Sequence, residues 1–251
     1  MGPADLLHGR DLSRRDALRA LATTAAVGGV ALTAPAWFPT AAGARALPAA
    51  AEATMTPDQA LARLVAGNRR FVANKARNPR QGTVRRAELA QGQAPFASIV
   101  SCSDSRVPIE VVFDQGLGDL FGVRDAGNTV STDPVNFGSV QYGCLELNTP
   151  LLMVLGHSEC GAAKAAIDVA ANGTQLPGDL PDVVAPILPA AQQSLTLAKD
   201  DQLPATILEN VRAQVTWLGT DPLLSERVTA KTLKIVGAVY QLHTGKVTLV
   251  P

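Results

Sequence analysis

The sequence predicts an α/β fold: a mostly parallel central sheet of four strands plus an antiparallel C-terminal edge strand, flanked by helices. Three observations predict it. Short apolar runs alternate with segments of helical period between residues 57 and 250, the order from which parallel sheets are built. Residues 151–156 (Leu-Leu-Met-Val-Leu-Gly) are continuously apolar, as expected of a strand covered by helices on both faces. The last run, 246–250, alternates instead and follows a Thr244-Gly245 turn, which marks a hairpin edge strand.

In chain order, residues 57–75 open the folded part as a helix. Thr56 stands as N-cap and Pro57 at the first helical position, where its missing N–H has no intrahelical partner to lose. Leu61, Leu64, Val65, Phe71 and Val72 approximate one face, and charged residues fill the other. Asn78-Pro79-Arg80-Gln81-Gly82 is a loop, and 83–91 a short helix. Strands follow at 96–101 and 117–123. Residues 132–147 are helical from an Asp133-Pro134 start, 151–156 is the third strand, and a helix runs from 161 to about 171. The stretch 172–181 is a loop. Helices near 182–199 and 204–218 then lead to a fourth strand at 233–241 and the edge strand. No internal repeat or low-complexity tract interrupts this order.

Residues 1–46 stand apart as a twin-arginine signal peptide, leaving 47–251 as one domain. Ser13-Arg14-Arg15-Asp16-Ala17-Leu18 carries the paired arginines, 21–34 is a weakly apolar run, and Ala44-Arg45-Ala46 offers small residues for cleavage. The apolar run is short and poor in leucine, so it would span a bilayer badly. Membrane contact is expected only during export, with the mature protein secreted, periplasmic or at the cell surface. The remaining chain, about 205 residues, is one domain with a real core. Its 17 basic and 19 acidic residues give a formal charge of −2, and no basic patch with interleaved aromatics points to nucleic acid. Three cysteines, none at disulfide-framework spacing, are odd in an exported chain unless a metal holds two of them.

Two stretches carry the chemistry. Cys102-Ser103-Asp104-Ser105-Arg106 follows the first strand, and His157-Ser158-Glu159-Cys160 follows the third. Ligands in open α/β sheets bind beyond the carboxyl ends of the strands, where the strand order reverses. Cys102 and His157 converge there if these two strands are neighbours. Cys160, three residues on at the start of the next helix, shares their side, and a helix N-terminus favours its thiolate. Two cysteines and a histidine make a three-ligand Zn²⁺ site, one per chain, whose open fourth position marks a catalytic metal. Two thiolates neutralise the ion and weaken it as a Lewis acid, so a carboxylate is needed beside it to orient water. Asp104 fills that role if it stays ionised and off the metal, and a bidentate Arg106 secures both. Cys144 reads as core. His8 falls in the signal region and His243 at a hairpin end, and neither reads as a ligand.

These segments, with Val123-Arg124-Asp125-Ala126-Gly127-Asn128 and the closing Lys234-Ile235-Val236-Gly237-Ala238-Val239-Tyr240, resemble the β-class carbonic anhydrases over roughly 57–250. The resemblance implies zinc on Cys102, His157 and Cys160, an Asp104–Arg106 catalytic dyad, and reversible hydration of CO₂ to bicarbonate. Further positions are similar to the plant-like branch. Gln93 corresponds to a glutamine that hydrogen-bonds substrate oxygen, Phe121 and Tyr142 to an aromatic wall supplied by the neighbouring subunit, and Gly161 to a substrate contact. A homodimer or larger homo-oligomer is implied, and the apolar face of the first helix could lie across a partner. Asp125 departs from the family, which more often has Asn or an apolar residue there. The bicarbonate-holding Trp of another branch is missing, since Trp37 lies in the signal and Trp217 late in the chain.

Three rivals were weighed against this reading. A carbonyl sulfide or carbon disulfide hydrolase of the same fold differs only in pocket access. A non-catalytic zinc- or bicarbonate-binding module has no need of the Asp104–Arg106 pair. A thiol redox protein calls for a C-x-x-C pair, which is absent.

Overall fold

A computed structural model describes residues 55–130 and 134–251; the twin-arginine segment, its cleavage site and Asp133 lie outside the described residues. Helix α1 (Pro57–Val72) starts as its sequence dictates. Thr56 Oγ1 accepts the Gln59 N–H at 3.3 Å, and Gln59 Oε1 accepts the Thr56 N–H at 2.8 Å, a reciprocal cap ahead of Pro57. Ala60 and Leu64 on its inner face are buried against the core of their own chain, with Leu61 and Phe71 beside them. On the same face Val65 is half-buried and Val72 exposed.

The other elements are α2 (Thr83–Leu89), β1 (Ala97–Cys102), α3 (Ile109–Val112), β2 (Leu120–Asp125) and α4 (Pro134–Gln141), which closes in a π-helical turn, Tyr142–Glu146. After β3 (Leu151–His157) come α5 (Gly161–Asn172), α6 (Leu180–Val184), α7 (Leu188–Ser194), α8 (Lys199–Gly219), α9 (Pro222–Thr229), β4 (Lys234–Tyr240) and β5 (Val247–Val250). The sheet order is β2-β1-β3-β4-β5, with β1 to β4 parallel and β5 antiparallel to β4, as the sequence predicts.

Both faces of the sheet are covered. Ile99, Leu151, Met153 and Leu155 pack with Ala60, Leu64, Ile109 and Phe113 in one cluster. Val100, Leu152 and Val154 pack with Val140, Val211, Leu218 and Leu224 in the other. Each large apolar side chain so buried contributes roughly 1.5–3 kcal/mol relative to exposure, which is why β3 tolerates no polar alternation. The strand order reverses between β1 and β3: the chain leaves β1 for β2 on one side and returns to β3 on the other. Ser101 is paired with Leu155, so Cys102 and His157 end adjacent strands at the reversal.

Where the structure departs from the sequence reading, proline and turn chemistry explain it. Pro186 and Pro189 restart the helix twice, so 182–199 is α6, a 3₁₀ turn (Ala185–Ile187) and α7 rather than one helix. Pro204 does not start α8 but sits inside it, because it removes only the bond to the exposed Asp200. Helix α9 was missed although Asp221-Pro222 repeats the α1 signal: Asp221 Oδ1 accepts the Leu224 N–H at 2.9 Å. The short α3 was missed as well. Strand β2 begins three residues later than expected, since Gly118, at φ +74°, and Asp119, which takes the Gly116 N–H, form a turn. Among the described residues, no helix is long and apolar enough to cross a membrane.

Candidate metal centre

β1 delivers Cys102 and β3 delivers His157, while Cys160 caps α5. All three are buried, and their ligand atoms lie within 4.8 Å of one another. Donor chemistry agrees with a cation at their centre. The His157 Nδ1–H donates to the Ser158 carbonyl at 2.9 Å, which leaves Nε2 unprotonated, and this buried atom has no hydrogen-bond partner. Cys102 Sγ accepts the N–H groups of Gly127 at 3.3 Å and Asp104 at 3.4 Å. The Cys160 hydrogen bond, with help from His157 and these amides, pulls the Cys102 thiol well below its ordinary pKa against the opposing effect of burial. Cys160 moves the other way. The bond to Cys102 and its own burial raise it, although the Ala163 and Ala162 amides at the start of α5 pull it down. The helix terminus therefore does not by itself offset the neighbouring sulfur and burial at Cys160. A divalent ion stabilises both as thiolates, and this donor set fits zinc.

Asp104 and Arg106 form the expected pair. Asp104 Oδ1 accepts from the Arg106 backbone N–H and Nε, each at 2.9 Å, and Oδ2 accepts from Nη2 at 2.7 Å. The Arg106 guanidinium holds the Asp104 carboxyl far below the usual carboxylate range. Oδ2 lies 3.9 Å from His157 Nε2. Arg106 Nη2 also reaches the Glu159 carbonyl at 3.3 Å, tying the two ligand loops together. Glu159 sits at φ +58°, a left-handed conformation uncommon outside glycine, between the two ligands of the second loop.

Sequence reasoning gave no role to Arg124 or Gly127. Arg124 donates to the Cys102 carbonyl through Nε at 3.1 Å and Nη2 at 3.0 Å, and Nη2 also reaches the Asp104 carbonyl at 2.8 Å. Both residues were within view in the 123–128 motif; their effect depends on β2 lying beside β1. Asp125, the departure from the family pattern, accepts from the Thr129 N–H at 2.8 Å and from Thr129 Oγ1 and Asn136 Nδ2, so its charge stabilises the 125–129 loop. Cys144 is core, as expected. Trp217 packs edge-on against Phe137, at 4.7 Å between ring centroids.

Of the remaining expected residues, Gly161 lies at the site, and Gln93, Phe121 and Tyr142 are not gathered here. Gln93 is exposed and precedes the amino end of β1, whereas Cys102 ends that strand, about 17 Å of extended chain beyond Ala97. Phe121 pairs with Ser98, four residues and about 13 Å back along the strand from Cys102. It stacks at a tilt with the exposed Tyr142, with centroids 5.9 Å apart. Gly161 opens α5 directly after Cys160, and a Cβ there would meet nothing within 4 Å.

Comparison with known proteins agrees with this geometry. The carbonic anhydrase family profile matches residues 97–247. Carbonic anhydrase 2 of Mycobacterium tuberculosis is 42% identical over 187 residues, 73% of this chain and 87% of the relative. A β-carbonic anhydrase of Coccomyxa, solved with acetazolamide, superposes with a TM-score of 0.60 at 25% identity, covering 76% of this chain and 86% of its own. One of two tetrameric β-carbonic anhydrases of Sordaria macrospora superposes at 0.62 and 23% identity, covering 74% of this chain and 93% of its own.

Proposed function

The chain belongs to the β-class carbonic anhydrase family, and from that premise we propose that it catalyses the zinc-dependent, reversible hydration of carbon dioxide to bicarbonate and a proton. One observation carries the reading: three buried ligand atoms within 4.8 Å of each other, beside a carboxylate locked by an arginine. Cys102, His157 and Cys160 would hold the zinc ion, which when bound would supply the Lewis acidity that makes water a nucleophile near neutral pH. The chain's own residues orient the reaction. His157 offers a bare Nε2 because Ser158 fixes the other ring nitrogen. Asp104 Oδ2 accepts a hydrogen bond from the attacking water and so directs the water's lone pair at the carbon of CO₂. Arg106 keeps that carboxylate ionised and prevents it from swinging onto the metal ligands. The open space at Gly161 leaves room for substrate at the helix start. The proton leaves to buffer.

Gln93, Phe121 and Tyr142 match the plant-like branch, and their distance from Cys102 of the same chain favours a pocket completed by a second subunit. The functional unit in this reading is a homodimer or a larger homo-oligomer. Export by the twin-arginine route belongs to the same proposal. That route carries folded proteins, so zinc is loaded before an oxidising compartment is met. Replacing Arg14 and Arg15 together by Lys should retain a folded, zinc-bound precursor inside the cell, and unchanged export would exclude the route.

Stopped-flow CO₂ hydration by metal-quantified protein, run beside carbonyl sulfide, tests the activity. Hydration at one zinc per chain is expected. Zinc-loaded protein that is inert to CO₂ would overturn the reading, and turnover of carbonyl sulfide alone would transfer it to the sulfur analogue.

A further inference from the structure

Helix α8 contributes no ligand and no dyad residue, yet it buries three polar side chains along its length: Thr206, Asn210 and Gln214. A buried amide is unfavourable unless its hydrogen bonds are used. Asn210 and Gln214, four apart and so on one face of the helix, each make one such bond to the 127–130 loop, while the buried Asn210 Oδ1 has no hydrogen-bond partner among the described residues. Asn210 Nδ2 donates to the Gly127 carbonyl at 2.9 Å. Gln214 Oε1 accepts the Val130 N–H at 3.0 Å. The acceptor fixes which way the Asn210 amide points, because a carbonyl requires the NH₂ end.

That loop bears on the metal centre through one atom pair, the Gly127 N–H and Cys102 Sγ, 3.3 Å apart. Gly127 stands at φ +92° and Asn128 at φ +51°, two successive residues in the left-handed region. Only glycine suits the first position. A Cβ would lie 2.6 Å from Ile187 Cδ1 and 3.2 Å from Ala162 Cβ. The Gly127 N–H and carbonyl belong to successive peptide groups hinged at its Cα, and glycine's freedom leaves that hinge loose, so an anchor on the carbonyl side is needed to restrain the N–H. We propose that Asn210 is a positioning residue of the metal centre: by gripping the Gly127 carbonyl it keeps the Gly127 N–H on the Cys102 thiolate. Gln214 anchors the far end of the same loop.

The consequence is electronic as well as steric. An N–H donated to a ligating thiolate withdraws charge from sulfur and tunes the ion it holds, the role of hydrogen bonds around metal ligands generally. With two thiolates on one ion, that withdrawal offsets part of the charge that weakens it as a Lewis acid. Asn210 acts at a distance, since it touches neither the ligands nor Asp104 and Arg106 in any hydrogen bond of the structure. The inference rests on the proposed zinc site.

The test uses the full chain with cobalt(II) in place of zinc. In Asn210→Leu, which removes the donor at similar volume, the thiolate-to-cobalt charge-transfer band should move to longer wavelength as sulfur regains charge. Metal release to a chelator should change by about tenfold, the lower end of effects from such outer partners. Thr206→Val is the control. Thr206 lies on the same helix and bonds Ser194 Oγ at 2.9 Å and the Gln202 carbonyl at 2.8 Å, away from the loop. It should lower stability and leave the band in place. If the leucine variant does not fold, Asn210→Ser, too short to reach Gly127 but able to admit water, is read the same way. In the wild-type protein loaded with cadmium-113, scalar coupling between the metal and the Gly127 amide proton is expected across the sulfur. Absence of that coupling, or a band unmoved in the Asn210 variant, overturns the inference. A wild-type protein that binds no zinc and hydrates no CO₂ overturns the proposed function instead, and the two failures are told apart.

Discussion

Two carboxylate–arginine clusters lie at opposite ends of β1, built from the same side chains for different ends. At the amino end, Asp119 is 3% exposed. Its Oδ2 accepts the Gly116 N–H at 2.8 Å and Arg63 Nη2 at 3.2 Å, while Arg80 and Arg85 approach Oδ1. Nearby, Asp114, fully buried, takes Arg70 at 2.5 Å and the N–H groups of Arg77 and Asn78 at 2.9 Å each. At the carboxyl end, Asp104 is 17% exposed, and among the described residues the hydrogen bonds to its carboxylate come from Arg106, two residues along. The first cluster draws partners from α1, the 73–82 loop and α2, and so ties distant segments together. The second ties a side chain to its own loop and leaves Oδ2 facing His157. Saturation by several partners makes a staple; restraint by one partner leaves a lone pair to spare beside the three ligand atoms, as the proposed acid/base role requires.

The comparison can be broken by substitution. The largest effect should come from removing the metal that gives the carboxyl end its chemistry. Cys160→Ser should take zinc from one per chain to nearly none and abolish hydration, and full zinc by metal analysis would remove Cys160 from the ligand set. Next is Asp104→Asn, which keeps the shape but offers an N–H where an acceptor is needed. Zinc content and thermal midpoint should hold while kcat/KM falls by roughly 10²- to 10⁴-fold. Retention of more than half the rate would make this pair a staple too. Arg106→Ala should do similar damage, and the double variant little more, because the two act as one unit.

The same Asp→Asn change at the other end should do the reverse. Asp119→Asn leaves three arginines without their shared counter-charge and should cost about 2 kcal/mol in urea unfolding. The folded fraction should keep the wild-type kcat. The smallest effect concerns pH. Burial pushes the Asp114 carboxyl up, but Arg70 and the two backbone amides outweigh it, and its pKa ends below the ordinary value. A depressed carboxylate stabilises above its unfolded pKa of about 3.9, and that contribution is lost as pH falls through the folded value. Arg70→Ala leaves burial less opposed, so acid unfolding should begin at higher pH. Urea midpoints measured between about pH 3 and 6 would show it; identical acid limbs would mean that Arg70 contributes nothing to the staple.

The metal centre was legible because its chemistry is local. Cys102 to Arg106 and His157 to Cys160 each carry ligands or dyad within five residues, and an apolar run before each announces the strand that presents it. The staple was not legible. Arg63, Arg70, Arg80 and Arg85 read as solvated charges, and their partners Asp114 and Asp119 stand 34 to 56 residues away in a stretch that looks like an ordinary loop. Asn210 failed for the same reason: 83 residues separate it from Gly127, and on its own helix it reads as one more polar position.

By itself, then, the sequence determined the alternation of strands and helices, the parallel sheet with its antiparallel edge, the candidate ligand cluster and the Asp104–Arg106 pair beside it. Each of these follows from period, turn residues or neighbours a few positions apart, where the backbone fixes geometry whatever the rest of the chain does. Tertiary structure alone decided which carboxylate is saturated by several partners and which keeps an oxygen facing His157, that the two sulfurs and the histidine nitrogen meet, and that a distant asparagine grips the loop behind Cys102. Those outcomes depend on desolvation and on partners from other elements, and neither exists until the sheet has brought its ends and covering helices together.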